Sequence, residues 1–284
     1  MSGMVPLTRP ANCEFSHPLP CCAVPRVRLD SLLAERGLFA SRSRAAAAVI
    51  AGQVHVGTGG ARAVKPGQMV AEDVEVSVDA PPPYVSRGGV KLANALDALG
   101  IDVAGRRALD VGASTGGFTD CLLQRGAEHV VALDVAYGEL DWRLRQDDRV
   151  TVVERVNARA LEAGQLPYAP DLIAIDVSFI SLAKVLPAVL GVAAARFDCL
   201  AMVKPQFEAG RARVGKGGVV RDAEVRREAI AGVAACASEL GAAVVGFAPS
   251  GLPGPAGNRE TFAWLAEGGR GTVDVEGALR EADV

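Results

Sequence analysis

Four ionisable side chains occupy positions from which they could handle a proton together. Asp176 follows the apolar run DLIAI, Lys204 follows CLAMV, and Glu260 follows a later strand pattern. In a doubly wound sheet such positions meet at one edge, which Lys91 could reach from its own helix. A single lysine at a strand end is usually just solvated, but two lysines and two acids together predict an acid–base centre.

A glycine-rich turn, DVGASTGGF at residues 110–118, lies between a strand pattern and a helix pattern. A Walker loop requires GK[ST] after a four-residue gap, and a dinucleotide fingerprint requires GxGxxG, so the turn matches neither. Asp110 at the strand end would repel a pyrophosphate and attract the amino group of a methionine moiety. The turn therefore favours S-adenosylmethionine as the ligand.

Two further side chains are placed to contact a nucleoside. Asp134 ends the second strand pattern, and a carboxylate can accept from both hydroxyls of a ribose, in a dinucleotide as well as in S-adenosylmethionine. Asn157 follows the third strand, where it suits an adenine contact and equally a helix cap. The predicted cofactor contacts are Asp110, Gly112, Ala113, Ser114, Thr115, Gly116, Gly117, Phe118, Asp134 and Asn157.

Strand and helix patterns alternate from residue 107 onward and must position these side chains. The strand runs include RALDV, HVVALD, DLIAI and CLAMV, with AAVVGF coming late. Repeated βα units predict a parallel sheet with helices on both faces and ligands at the carboxyl ends of the strands. We expect an α/β, Rossmann-like domain over residues 87–270, followed by a C-terminal tail at residues 271–284.

The N-terminal part of the chain is set apart from the sheet region by a linker and by its local positive charge. APPP at residues 80–83 breaks regular structure, so residues 80–86 are predicted to be a linker. Between residues 26 and 70, seven Arg or Lys stand against two acids, a local balance of +5 in a chain of net charge −3. The cluster predicts contact with nucleic-acid phosphates. Its candidate contacts are Arg26, Arg28, Arg42, Arg44, Arg62 and Lys65, with Arg87 beyond the linker.

The remaining composition argues against membrane and metal-dependent classes. No apolar run reaches the roughly 18 residues of a membrane helix, and the six cysteines show no metal-site spacing. Residues 1–25 contain five prolines and lack the segments of a signal peptide. We expect a disordered extension there, a cytoplasmic protein, no bound metal and no stable membrane association.

Residues 26–79 resemble an S4 domain, a small α+β RNA-binding module. The resemblance rests on RLDSLLAERGLFASRSRA, AGQVHVG and VKPGQMV. Two helix patterns end at Gly37 and Gly52, the second capped by Ser41, and QVHVG and VEVSV are strand patterns. The resemblance implies docking on structured RNA through its shape and backbone.

The four ionisable residues resemble the Lys-Asp-Lys-Glu tetrad of FtsJ-type ribose 2′-O-methyltransferases. The chemistry needs alignment of oxygen, methyl and sulfur and removal of a hydroxyl proton, which a lysine near other cations can perform once neutral. The resemblance implies that Lys204 is the base and Asp176 its orienting partner. It further implies that Lys91 favours the neutral form of that base or holds a phosphate, and that Glu260 completes the network.

Nearly the whole chain resembles the TlyA family of ribosomal RNA methyltransferases, sometimes labelled haemolysins. The matching stretches are YVSRGGVKL, DVGASTGGFTDCLLQRGA, YGELDWRLRQDDRV, IDVSFISL, MVKPQFE, VGKGGVVRD and GNRETF. The resemblance implies S-adenosylmethionine-dependent 2′-O-methylation of cytidine in 16S rRNA alone or in both 16S and 23S rRNA. Its implied partner is ribosomal RNA within subunits or ribosomes.

Three alternatives compete with this interpretation. A membrane-active haemolysin lacks support from any spanning segment or strongly basic amphipathic helix. A non-catalytic RNA-binding protein would be favoured by loss of a tetrad member, and all four are present. A pseudouridine synthase would leave the glycine turn unexplained. The basic loop GRARVGKGGVVRD is compatible with a lid over RNA and with a plain surface loop.

Overall fold

The computed structural model describes residues 24–80 and 82–281 and divides the chain into two compact units, residues 1–81 and 82–284. The predicted disordered extension lies almost wholly outside the described residues.

The first unit combines two helices with short antiparallel strands. Strand β1 pairs with β4, and β2 lies between β3 and β5. Its core contains Leu29, Leu33, Val49 and Val54. The elements are β1 Arg26–Arg28, α1 Leu29–Glu35, α2 Arg42–Ala51, β2 Val54–Val56, β3 Ala61–Arg62, β4 Met69–Ala71 and β5 Val76–Val78.

The predicted bounds of helix α2 are confirmed. The Ser41 side chain accepts a hydrogen bond from the Arg44 N–H at 3.3 Å, and Gly52 ends the helix at a φ of 73°. Glycine adopts that left-handed conformation without strain, so it stops the helix where the sequence pattern predicts. Strands β1, β3 and β4, of two or three residues, were not predicted, because they do not lie in alternating stretches such as QVHVG and VEVSV.

The second unit is built on one seven-stranded sheet with the order β11-β12-β10-β9-β6-β7-β8. Its strands are β6 Arg107–Val111, β7 His129–Asp134, β8 Val150–Glu154, β9 Leu172–Ile175, β10 Asp198–Val203, β11 Ala243–Pro249 and β12 Thr261–Ala266. Its helices are α3 Arg87–Leu99, α4 Gly117–Gln124, α5 Trp142–Arg145, α6 Leu186–Gly191, α7 Pro205–Glu208, α8 Ala223–Glu239 and α9 Val275–Glu281.

Strand order reverses direction at the centre of this sheet. From β6 the chain moves outward to β7 and β8, then returns to place β9 and β10 on the other side of β6. These five strands are parallel, as predicted, so the carboxyl ends of β6 and β9 lie side by side. Such a reversal opens a crevice at the strand ends, where ligands bind.

The prediction of a purely parallel sheet requires a correction at one side. The segment TFAWLA forms β12, which runs antiparallel to both β10 and β11. Five of its six residues are buried, so the segment lacks the polar–apolar alternation that marks an exposed strand. Strand β12 begins directly after Glu260, so its pairing in the sheet fixes the position of the Glu260 side chain.

Each face of the sheet is covered by helices around its own core. Helices α3 and α4 contribute Leu92 and Leu122 to one core. Helices α6, α8 and α9 pack on the other, where Leu279 of α9 is 3% exposed. The segment predicted as a C-terminal tail therefore includes a helix that packs into the sheet unit, because its apolar side chains recur at helical spacing.

Candidate active site

The glycine-rich turn lies directly against the end of β9. Gly112 has a φ of +86°, and a Cβ atom at this position would lie 2.5 Å from the backbone oxygen of Asp176. A side chain there would require the backbone itself to move, so glycine is needed for both the turn and the close approach. The turn after β6 and Asp176 after β9 thereby become neighbours.

A second close approach positions Lys91. Ser86 caps α3 by accepting a hydrogen bond from the Gly88 N–H at 3.3 Å. A Cβ at Gly89 would lie 2.7 Å from the backbone oxygen of Gly117, so the first turns of α3 and α4 are in backbone contact. Lys91 follows one turn into α3 and is only 7% exposed.

The structure brings the four predicted catalytic residues together as two ion pairs. The amine of Lys91 donates to Glu260, and their side chains are 9% and 1% exposed. The Lys204 amine lies 2.5 Å from Asp176 Oδ1, with side chains 11% and 24% exposed. Lys91 and Asp176 both line the same cavity. Four separate parts of the chain thus meet at the carboxyl edge of the sheet.

Two adjoining cavities, of about 300 and 490 Å³, open at this edge. The smaller is lined by Lys91 and most of the glycine-rich turn, and the larger by Asp134 and Asn157. Gly112, Ser114 and Asp176 line both cavities, so the two form a continuous surface around the turn. Of the predicted cofactor residues, Ala113, Thr115, Gly117 and Phe118 line the smaller cavity.

Asp134 is held rigidly at the end of β7. One carboxylate oxygen accepts from the Ser114 N–H at 2.7 Å and the other from the Ala136 N–H at 2.8 Å. Each oxygen retains a lone pair that can face the larger cavity. Asn157 both lines that cavity and caps a short 3-10 helix, accepting from the Arg159 N–H at 3.1 Å.

Asp110 lies beneath the turn and lines neither cavity. One carboxylate oxygen accepts from the backbone N–H and the hydroxyl of Thr119, at 2.9 and 2.7 Å, and the other has no hydrogen-bond partner. Complete burial raises the pKa of Asp110 to about 7, and the charges of Asp176 and Asp134 add to the rise. Gly116 also lines neither cavity and faces the side chains of Leu140 and Leu144.

The candidate RNA contacts are distributed over both units. Arg28 binds Asp30 through two hydrogen bonds of 3.0 and 2.7 Å, and Arg42 approaches the same carboxylate at 3.5 Å. The hydrogen bonds from Arg28 lower the pKa of the buried Asp30 to about 2. The exposed residues include Arg44 in the first turn of α2, Arg62 on β3 and Lys65 in the loop that follows β3, and Arg26 lies on β1.

Arg87 belongs to the second unit, where it is the first residue of α3. It lines the smaller cavity and donates to the backbone oxygen of Pro253 at 2.8 Å. Because Pro253 precedes Glu260 in the same loop, this contact ties the start of α3 to the loop that carries one of the acids.

Sequence reasoning missed two residues in the loop after Asp176. Ser178 accepts a hydrogen bond from the Lys204 amine at 2.8 Å. Phe179 is 92% exposed, has a φ of 63°, and its ring lies 5.3 Å from that of Phe207. The stretch IDVSFISL looks like a continued apolar strand, so the turn within it was not predicted. The signal that could have identified Phe179 is an aromatic residue shortly after an acid that ends a strand.

The basic glycine-rich loop is anchored to the loop that carries Glu260. Asn258, 1% exposed, accepts from the Val220 N–H at 2.9 Å and donates to the Gly218 oxygen at 2.8 Å. An amide that satisfies two backbone groups gives this segment a defined conformation beside the active site.

Within the described part of the chain, no helix is long and apolar enough to cross a membrane. Residues 24–80 and 82–281 also hold no cluster of three or more side chains suited to binding a metal ion.

Comparison with known proteins identifies the family. Residues 84–267 match the FtsJ-like methyltransferase family. The 16S/23S rRNA (cytidine-2'-O)-methyltransferase TlyA of Mycobacterium tuberculosis is 51% identical over 242 residues, covering 84% of this chain and 90% of that protein. Hemolysin A of Brachyspira hyodysenteriae is 37% identical over 238 residues, covering 84% of this chain and 98% of that protein.

A solved structure is similar as well. The "Putative hemolysin from Streptococcus thermophilus" aligns at a TM-score of 0.69 and 38% identity, covering 92% of this chain and 97% of that one. The chain belongs to the FtsJ-like methyltransferase family.

The burial of Asp110 predicts a specific dependence of stability on pH. Its pKa is about 7 in the folded protein against an ordinary value of 3.8. The folded state therefore keeps a proton that the unfolded chain releases, so the associated stability is complete below about pH 4 and is lost as the pH rises through about 7. Replacing Asp110→Asn should remove this loss, since an amide does not titrate.

The measurement is urea unfolding followed by tryptophan fluorescence, because Trp142 and Trp264 are both in the second unit. Between about pH 4 and 7, the free energy of unfolding of the wild type should fall relative to that of the variant. Parallel curves for the two proteins would contradict the assignment.

Proposed function

We propose that this protein methylates the ribose 2′-hydroxyl of cytidine in ribosomal RNA, with S-adenosylmethionine as methyl donor. The observation that carries the proposal is the pair of ion pairs, Lys91–Glu260 and Lys204–Asp176, beside the cavities at the sheet edge. Family membership supports methyl transfer, and the name of the 51% identical mycobacterial relative supports cytidine in 16S and 23S rRNA as the substrate.

The residues around the two cavities fit S-adenosylmethionine. Asp134 presents two anchored carboxylate oxygens to the larger cavity, which suits the ribose hydroxyls, and Asn157 lines the same cavity for the adenine. Asp176 lines both cavities, and its negative charge suits a cationic ligand. When bound, the cofactor supplies a methyl group already activated by its sulfonium.

The protein's own contribution is to align the ribose and take its proton. Lys204, in its neutral form, accepts the 2′-hydroxyl proton as that oxygen attacks the methyl group. The ammonium formed on Lys204 lies 2.5 Å from the Asp176 carboxylate, which stabilises the new charge. Lys91 is held by Glu260 and lines the smaller cavity, so it can fix the ribose or a neighbouring phosphate.

The first unit provides the RNA-docking surface in this proposal. Residues 26–79 act as an S4 module, joined by the linker at residues 80–86 to the methyltransferase domain. Arg44 and Lys65 are exposed, and Arg42 lies at the helix start where backbone N–H groups favour a phosphate. On the second unit, Arg87 lines the smaller cavity and the exposed ring of Phe179 offers a surface on which a base can stack. Ribosomal subunits in the cytoplasm are the proposed substrates.

Removing the proposed base should stop turnover without removing the cofactor. We expect Lys204→Ala to lower the rate of methyl transfer at least 100-fold, the lower range for loss of a general base. Lys204 lines neither cavity, so the dissociation constant for S-adenosylmethionine, measured by calorimetry, should change less than about threefold. Transfer near the wild-type rate would remove Lys204 from the role of base.

Removing two cations from the start of α2 should weaken RNA binding in a salt-dependent way. For Arg42→Ala with Arg44→Ala, the slope of log affinity against log salt should decrease by about one to two. Arg44 accounts for most of this decrease, because Arg42 is already paired with Asp30. Arg36→Ala is the matched control, since the Arg36 guanidinium binds the backbone oxygens of Glu72 and Val74. An unchanged slope would place the docking surface elsewhere.

A further inference from the structure

The amine of Lys204 makes two contacts of different kinds. It donates a hydrogen bond to Ser178 Oγ at 2.8 Å. Its contact with Asp176 Oδ1, at 2.5 Å, is an ion pair without hydrogen-bond alignment, and that oxygen has no hydrogen-bond partner. Asp176 therefore supplies charge, whereas the direction of one N–H bond is set by Ser178.

A lysine that acts as a base needs a defined orientation of its amine as well as a nearby charge. A neutral lysine amine has two N–H bonds and one lone pair, and it rotates freely about its last carbon–nitrogen bond. Proton abstraction requires the lone pair to point at the 2′-hydroxyl within hydrogen-bond reach. An acceptor that holds one N–H, together with a carboxylate that attracts the other, leaves the lone pair in the one remaining direction.

We infer that Ser178 is a positioning residue for the catalytic base: its hydroxyl oxygen orients the Lys204 amine so that the lone pair faces the ribose. The inference rests on the proposed role of Lys204. It goes beyond the four ionisable residues, because it assigns the orientation of the base to a neutral side chain outside that set.

The backbone around Ser178 supports this role. Ser178 also lines the larger cavity, so the residue that accepts from the amine lies at the cavity wall. The next residue, Phe179, has a φ of 63°, a strained conformation that non-glycine residues adopt only where the surrounding structure imposes it. The loop therefore turns sharply just after the serine.

A partly buried carboxylate fixes this loop relative to Lys204. Glu208, on the short helix that follows Lys204, accepts from the Ser181 hydroxyl at 2.6 Å and from the Leu182 N–H at 2.9 Å. These bonds join the segment after Ser178 to the segment after Lys204. The distance between the serine oxygen and the amine is thus held from both sides.

The test compares Ser178→Ala with Ser178→Thr in methyl transfer to purified 30S and 50S ribosomal subunits. For Ser178→Ala we expect kcat to fall about 10- to 100-fold, as for a misaligned reacting group. KM for the subunits and the dissociation constant for S-adenosylmethionine should change less than about threefold. Ser178→Thr retains the hydroxyl and should recover most of kcat. Ser238→Ala, in α8 and bonded to the Ala234 oxygen, is the matched control and should leave kcat unchanged.

The dependence of kcat on pH shows whether Ser178→Ala changes the orientation of the Lys204 amine or its protonation. If Ser178 orients the amine, the deficit of Ser178→Ala should persist when the pH is raised, because more neutral amine does not restore its direction. Recovery of wild-type kcat at high pH would overturn the inference, as would a kcat of Ser178→Ala equal to that of the wild type.

Lys204→Ala in the same assay distinguishes a failure of the inference about Ser178 from a failure of the proposed function. An inactive Lys204→Ala beside a fully active Ser178→Ala would overturn the role of the serine and leave the proposed function standing. Wild-type activity in Lys204→Ala would remove Lys204 from the role of base and with it the inference about Ser178. No transfer to either subunit by the wild type would overturn the proposed function itself.

Discussion

The close approach of Gly112 to the backbone of Asp176 is the constraint on which the active site depends. The hydrogen-bonded pairing of β6 and β9 places the two strand ends side by side. A Cβ atom at Gly112 would lie 2.5 Å from the Asp176 oxygen, so only glycine allows the turn to pass so close. This single contact makes Asp176 a wall of both cavities. The cofactor loop and the carboxylate beside the proposed base are therefore set by one piece of backbone geometry.

Charge is arranged in this site so that each buried lysine has a carboxylate partner. An unpaired lysine as buried as Lys91 would be costly, and the ion pair with Glu260 offsets part of that cost. Lys204 and Asp176 are more accessible, as a pair that exchanges a proton with a substrate must be. Glu260 directly precedes the antiparallel strand β12, so the pairing of β12 with β10 places this carboxylate in the site.

Much of the fold was predictable, because β6, β7, β9 and β10 are apolar runs that end in or before acids and lysines. Strand β12 was not predicted, although it too is a run of mostly buried residues. Its antiparallel pairing with β10 and β11 is a long-range contact that a local pattern does not show. The four ionisable residues were predicted from their positions, but the pairing of Lys91 with Glu260 joins residues 169 apart in sequence. Ser178 carried no signal of its own, because a serine after a strand is ordinary until Lys204 is seen beside it. The burial of Asp110 below the turn was likewise invisible without the packing of Thr119 above it.

The most direct test of the central claim is the chemical identity of the methylated product. Ribosomal subunits would be incubated with the protein and methyl-labelled S-adenosylmethionine, and the RNA digested to nucleosides for mass spectrometry. We expect labelled 2′-O-methylcytidine. Label on a nucleobase, label on protein alone, or no label in RNA despite cofactor binding would contradict it.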